Sequence, residues 1–296
     1  MSAYRTARAR LYAQALESSW LAKVGAAFGF AGLTALLAQL SIPLPWTPVP
    51  LTFQPVGFLL TGIMLGPRYG ILSMLIYLGA GALGLHVFAP SADSFNPDSL
   101  FAAERWRVLV PDAAAGTGFT AGYLFGFPLA ALFVGSYIRA RNEGRGARFA
   151  TRASWLLTII LVAVAGGAFF LASGGTFADG DSGGAYQSGA DAAWLFAGAF
   201  LVLAPLLAWA LLRRAGGRPA LDLFIVLLGA TAMVHALGVL VLAPTLGISW
   251  TRAVALGSTV FLPFDALKAA LVVLAVPAFL PPSGQSESNP SNLVKP

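Results

Sequence analysis

The chain contains no cysteine, only 2 histidines, and few charges of either sign, 18 Lys+Arg against 12 Asp+Glu in 296 residues. Without a thiol there is no thiol nucleophile, no disulfide and no Cys-ligated zinc or iron–sulfur site. Two histidines with no carboxylates clustered beside them give no metal-ligand spacing. No G-x-x-x-x-G-K-[ST] loop occurs, so nucleotide is not bound that way, and no nucleophile-elbow or triad spacing stands out among the serines and threonines. An intramembrane enzyme would need a clustered acid, base or metal constellation, and the sequence has none. What the chain has instead is apolar bulk: 57% hydrophobic and 10% charged residues, with a mean hydropathy of +0.77. That composition is far from soluble averages and reads as one polytopic membrane domain. The net charge of +6 sits beside hydrophobic runs, so it speaks of membrane topology and not of nucleic acid.

The expected fold is therefore an all-α integral membrane protein. Apolar runs at about 20–41, 51–66, 69–88, 118–138, 154–172, 192–212, 222–243 and 264–281 predict about eight spans, with a short amphipathic piece at about 249–262. Residues 1–19, with Arg5, Arg8 and Arg10, read as a basic cytoplasmic arm. No small-residue cleavage site follows the first apolar run, so that run is expected to be an uncleaved span. Residues 282–296, rich in Ser, Asn and Pro, are expected to be a disordered tail. Arg68, the Arg-rich stretch 139–152 and Arg213, Arg214 and Arg218 all fall on the side of the basic arm, while the acidic segments 89–116 and 174–191 fall on the other. The positive-inside rule then places both termini in the cytoplasm and the loop before residue 51 outside.

That outer loop is the stretch around which the rest is organised. Pro43, Pro45, Pro48 and Pro50 fix φ and push their predecessors to extended geometry, giving a stiff, uncharged lid with Trp46 in it. Thr52, Gln54 and Pro55 follow at the start of the next run, where Gln54 is either a helix-cap hydrogen bond or a ligand contact. Gly118, Gly122 and Gly126 recur at four-residue spacing and form a surface for close approach by another helix or by a flat ligand. Asp265 and Lys268, at i and i+3 on one helix face, are costly in a span, and are either a buried structural pair or a binding site. Ala27, Ala31 and Ala35 line one face of the first run, for packing within the chain or against a partner. His235, alone on an apolar run, reads as a core histidine.

Several blocks carry a resemblance. Pro48-Val49-Pro50-Leu51-Thr52-Phe53-Gln54, Leu65-Gly66-Pro67-Arg68-Tyr69-Gly70 and the run from Tyr77 to Ala89 resemble the signature of the BioY family. That family is the biotin-specific S component of energy-coupling-factor (ECF) vitamin transporters. The Gly-rich block from Gly116 to Pro128 is similar to the family's Gly-Tyr-Leu segment, and Asp265-Ala266-Leu267-Lys268 to its last-helix Asp-x-x-Lys motif. The blocks cover roughly half the chain, in order. His86 stands where the family pattern usually has Pro. The resemblance implies a six-helix core, here extended by two further spans that the sequence assigns to an inserted helical hairpin at about 140–218. It implies uptake of biotin, driven by a transmembrane coupling protein and ATPase subunits, with no cofactor. It also implies an outer site walled by the loop after the first helix, the fourth helix and the start of the last. On these residues that means Trp46, Thr52, Gln54, Tyr77, Gly122, Tyr123, Asp265 and Lys268. An Ala-x-x-x-Ala face on the first helix would meet the coupling protein, hence Ala27, Ala31 and Ala35. An S component for another small carboxylate vitamin, and a membrane scaffold without a transported ligand, are the alternatives.

Overall fold

The computed structural model describes residues 19–89, 108–114, 117–142, 152, 156, 187–214 and 218–276, with the backbone alone at 187–192 and 214. The first helix, α1 (Trp20–Gln39), starts where Ser19 caps it: the Ser19 Oγ accepts from the Ala22 amide at 3.3 Å. Two-residue strands β1 (Ser41–Ile42) and β2 (Leu51–Thr52) then pair antiparallel. The ribbon cannot grow, because the four prolines between the strands lack the N–H a ladder needs. The loop they define is strapped down elsewhere, with the Thr47 hydroxyl donating to the Leu256 carbonyl at 2.7 Å and the Phe53 amide to the Leu40 carbonyl at 3.2 Å.

The next helical stretch, α2 (Gln54–Ala82), is two helices joined at Gly66, whose φ of 70° and ψ of −172° only glycine adopts readily. Pro67 opens the second arm, where its missing N–H costs nothing. The arms fold back on each other: the Gln54 Nε2 lies 2.6 Å from the Tyr77 hydroxyl. In an unbroken helix, residues that far apart in sequence would be about 35 Å apart. The remaining helices are α3 (Ala121–Asn142), α4 (Gln187–Arg214), α5 (Arg218–Leu246), α6 (Trp250–Gly257) and α7 (Leu262–Ala275), with a 3-10 turn (Thr259–Phe261) between the last two.

The core lies along α3, which packs against α2 on one side and α5 on the other. Phe58 and Phe127 stack across the first interface at 4.8 Å between ring centroids, a pairing that adds about 0.5–1.5 kcal/mol to the area buried. The second interface is close because of glycine. A Cβ on Gly122 would stand 2.1 Å from the Leu237 carbonyl oxygen, and one on Gly126 3.0 Å from the Val234 Cα. α1 lies against α2, and α4 against α7 and the 3-10 turn. Both α1 and α4 turn most of their length outward, with Phe28, Leu36, Leu201, Val202 and Leu206 exposed.

Among the described residues, six helices are long and apolar enough to cross a membrane. Where they are described, the predicted runs coincide with helix, the last of them, 264–281, only as far as residue 276; the run at about 154–172 lies outside the described residues apart from residue 156, as do the basic arm at 1–19 apart from Ser19 and the tail at 282–296. Helix 69–88 was expected to be continuous, but it ends at Ala82. Gly84, with a φ of 93°, turns the chain so that Phe88 reaches back onto the Tyr77 ring, edge to face at 5.4 Å.

Candidate functional site

The first turn of α7 carries Asp265, and the unsatisfied N–H groups there favour a negative charge. Its Oδ1 receives the Lys268 ammonium at 3.0 Å from the next turn of the same helix, the i, i+3 pair expected from spacing. Its Oδ2 lies 2.6 Å from the His235 Nε2 on α5. The other ring nitrogen, Nδ1, is 3.1 Å from the Gly257 carbonyl at the end of α6, and that carbonyl also accepts the Tyr123 hydroxyl from α3 at 2.6 Å. One continuous network, Lys268–Asp265–His235–Gly257–Tyr123, thus ties four helices together. All of its side chains are buried, Asp265 at 4%, Lys268 at 6% and His235 at 6% relative exposure. Charges withdrawn to that degree are costly even when paired.

A second network is neutral. The Thr52 hydroxyl donates to the Gln54 Oε1 at 3.1 Å, the Gln54 Nε2 to the Tyr77 hydroxyl at 2.6 Å, and the Tyr77 hydroxyl to the Val87 carbonyl at 3.1 Å. It joins β2 to both arms of α2 and to the turn after it. Phe127, one helical turn beyond Tyr123 on α3, lies 6.3 Å from the Tyr77 ring, so one face of α3 touches both networks. A third feature is aromatic: Trp46 of the Pro-rich loop, Phe196 of α4 and Phe264 of α7 follow one another at 6.2 and 6.4 Å. The indole N–H of Trp46 is buried there and meets no acceptor among the described residues. A buried donor without a partner is costly unless something with a lone pair arrives.

Of the residues singled out in the sequence, Asp265, Lys268 and Tyr123 meet in the ionic network, while Thr52, Gln54 and Tyr77 meet in the neutral one. Trp46 is linked to Phe264 at the start of α7 by way of Phe196 of α4. Gly122 faces the α5 backbone, so the close approach it permits is to a helix. Ala27 and Ala31 are buried within the chain, the Ser73 hydroxyl donating to the Ala27 carbonyl at 2.8 Å, and Ala35 is half-buried against the core. The side chain that the sequence placed in the core and not among the site residues is His235, and it is buried and hydrogen-bonded within the ionic network. The signal was there: it is the sole titratable residue between Leu223 and Leu246. What spacing could not show is that Asp265, 30 positions further on, comes to its Nε2.

Relatives bear names that agree with one another. Over 134 residues the chain is 37% identical to the probable biotin transporter BioY of Pyrococcus horikoshii, an alignment covering 45% of this chain and 66% of that one. Over 136 residues it is 39% identical to the probable biotin transporter BioY of Lysinibacillus sphaericus, covering 46% and 58%. Over 106 residues it is 39% identical to the biotin transporter BioY of Thermotoga maritima, covering 36% and 51%. The matched part thus spans about half to two thirds of the length of these relatives. A crystal structure of the S-component for biotin from an ECF-type ABC transporter aligns with 86% of this chain and 89% of that chain, at 19% identity and a TM-score of 0.47. The sequence model of the BioY family matches residues 10–97 and 170–283, more than half of the chain, and the protein belongs to that family.

Proposed function

We propose that this chain is the biotin-binding membrane subunit of an uptake system energised by an ECF coupling protein and ATPase subunits. Family membership and the names of the relatives support biotin as ligand. The observation in the molecule that carries the reading is the fully buried Asp265–Lys268 pair at the start of α7, under the loop that holds Trp46. An ion pair that serves stability alone is often replaceable by apolar residues without loss, so its presence in a span points to a ligand. Biotin has polar ureido groups at one pole, a carboxylate at the other and an apolar middle. The site offers a carboxylate, an ammonium, the free indole donor of Trp46 and the rings of Tyr77 and Tyr123 in the same order of chemistry. Thr52, Gln54 and Gly122 act one step back, the first two by holding Tyr77 and the last by seating Tyr123 against α5.

The Pro-rich loop is the lid: its stiffness comes from four prolines, and its tether to the site from a single hydroxyl, Thr47 to Leu256. In this reading the chain lies in the cell membrane with both termini cytoplasmic and the lid outside, and the first helix docks the coupling protein by way of the Ala27, Ala31 and Ala35 face. The experiment is a ligand scan by calorimetry on purified full-length protein with biotin, dethiobiotin and other carboxylate vitamins. Submicromolar binding of biotin, weaker for the others, is the expected result. A better-bound vitamin would make this an S component of other specificity, and no binding by any of them would favour a scaffold.

A further inference from the structure

The turn that follows α2 is held from two sides. On one side the Tyr77 hydroxyl donates to the Val87 carbonyl at 3.1 Å, and the Phe88 ring meets the Tyr77 ring edge to face. On the other stands Gln39, the last residue of α1. Its Nε2 donates to the Ala35 carbonyl of its own helix at 3.2 Å and to the Phe88 carbonyl at 3.3 Å, with the His86 carbonyl at 3.5 Å. Three carbonyl oxygens converge on that atom, so the amide must turn its NH2 group, and not its oxygen, toward them. One N–H thus serves α1 and the other the turn. The backbone bonds of the turn itself run only as far as Val87, whose amide donates to the Leu85 carbonyl at 2.8 Å. Beyond that point the carbonyls alternate, those of His86 and Phe88 facing Gln39 and that of Val87 facing Tyr77.

The Val87 carbonyl sets the sense of the neutral network. A hydroxyl has one hydrogen, and with it committed to Val87 the Tyr77 oxygen is left to accept from the Gln54 Nε2, which in turn leaves the Gln54 Oε1 for Thr52. A turn that slipped would free the Tyr77 hydroxyl to donate elsewhere, and the ring would lose the bond that fixes its place. We infer that Gln39 is a positioning residue for ligand binding: from the end of α1 it holds the turn through which Val87 fixes the Tyr77 hydroxyl and hence the order of the Thr52–Gln54–Tyr77 chain. The inference rests on the reading of this region as the biotin site and deepens it. The two residues after Gln39 secure the other end of the same chain, the Leu40 carbonyl accepting from the Phe53 amide at 3.2 Å and Ser41 pairing with Thr52 across the ribbon. Three consecutive residues at the end of α1 therefore hold the network at both of its ends. Gln39 is itself exposed, so its amide contributes to the turn and not to the core.

The test uses the full chain in detergent. Gln39→Met keeps the length of the side chain and removes its donors, while Gln39→Glu, at about pH 8, offers the same carbonyls only acceptors. Biotin affinity is expected to fall by about fivefold in the first and at least as far in the second, the effect of one neutral hydrogen bond. Melting temperatures should stay within about 2 °C of the parent, because the residue is exposed. The readout that a merely structural amide would not move is the coupling to Tyr77. In a Tyr77→Phe background, which has no hydroxyl for Val87 to fix, Gln39→Met should weaken biotin by less than about twofold further. Losses that multiply, or parental affinity in both single variants whatever their melting temperatures, would overturn the proposal. Hydrogen exchange without ligand, read on residues 83–89, keeps the biotin reading separate: Gln39→Met should speed exchange there by about fivefold, and an unchanged rate would also overturn the inference. If the parent binds no biotin, the biotin reading falls, and the exchange rates alone decide whether Gln39 holds the turn.

Discussion

Asp265 has two buried partners, Lys268 and His235, where its spacing announced one, and this orders the effects of substitution. Asp265→Asn strands both Lys268 and His235, while Lys268→Met leaves Asp265 its bond to His235. Breaking a buried pair costs about 3–5 kcal/mol. The expected outcome is that Asp265→Asn lowers the melting temperature more than Lys268→Met, and that each weakens biotin by about two decades or more, read by calorimetry. Equal and parental binding by both variants would remove them from the site. This pair was legible in the sequence because i and i+3 are neighbours on any helix. His235 was not, since a contact between α5 and α7 is a tertiary fact with no period. Gly122 shows the same limit: its four-residue spacing announced a close approach, and only the packing says that a helix makes it. Gly122→Ala must push the Leu237 carbonyl away and should cost about 1–3 kcal/mol in thermal unfolding. On the open face of α1, Gly29 has nothing within 4 Å of an added Cβ, and Gly29→Ala should be neutral or stabilising by up to about 1 kcal/mol.

Helices as units were the most readable part of the chain, since a long apolar run has few other solutions in a membrane. Their ends and their faces were less so. The reversal at Gly66 was written locally, as Gly-Pro after a short run, whereas the stop at Ala82 has only Gly84 to mark it, one of several glycines in that stretch, and is completed by Phe88 reaching Tyr77. The small-residue stripe on α1 was visible, but two occupants fitted it. In the folded chain the Ala27 end of the stripe meets the second arm of α2, where Ser73 binds the Ala27 carbonyl. A leucine at position 27 has no room there. Ala27→Leu should therefore lower the melting temperature of the isolated chain, by overpacking worth about 1–3 kcal/mol. A variant with unchanged melting and biotin binding but failed uptake would instead assign the stripe to the coupling protein.

Taken whole, the molecule places its buried charged network where α3, α5, α6 and the start of α7 meet, with the Pro-rich loop tied to it through Thr47 and Leu256, and the question that remains is how much of the chain that junction needs. The sequence makes residues about 140–218 a peripheral hairpin, because its runs carry no ionisable residue with which to hold a polar ligand. The second half of that segment, α4, does face outward over most of its length, but its inner edge grips by ring and not by charge. Ala193, Ala197 and Phe200 are buried, and Phe196 stands between Trp46 of the lid and Phe264, the neighbour of Asp265. Aromatic contacts of this kind contribute about 0.5–1.5 kcal/mol each, so Phe196→Ala should loosen the lid by about 1–3 kcal/mol and weaken biotin by roughly tenfold, mainly through faster dissociation. Joining Gly144 to Gly217 through a short flexible linker removes α4 entirely and should weaken binding at least as far as Phe196→Ala does, in a protein that still inserts. The measurement is the biotin dissociation rate in detergent for the parent, Phe196→Ala and the deletion. Parental rates in both variants would return the hairpin to the periphery, whereas a loss in the deletion alone would make α4 a support for α7 and not a wall of the site.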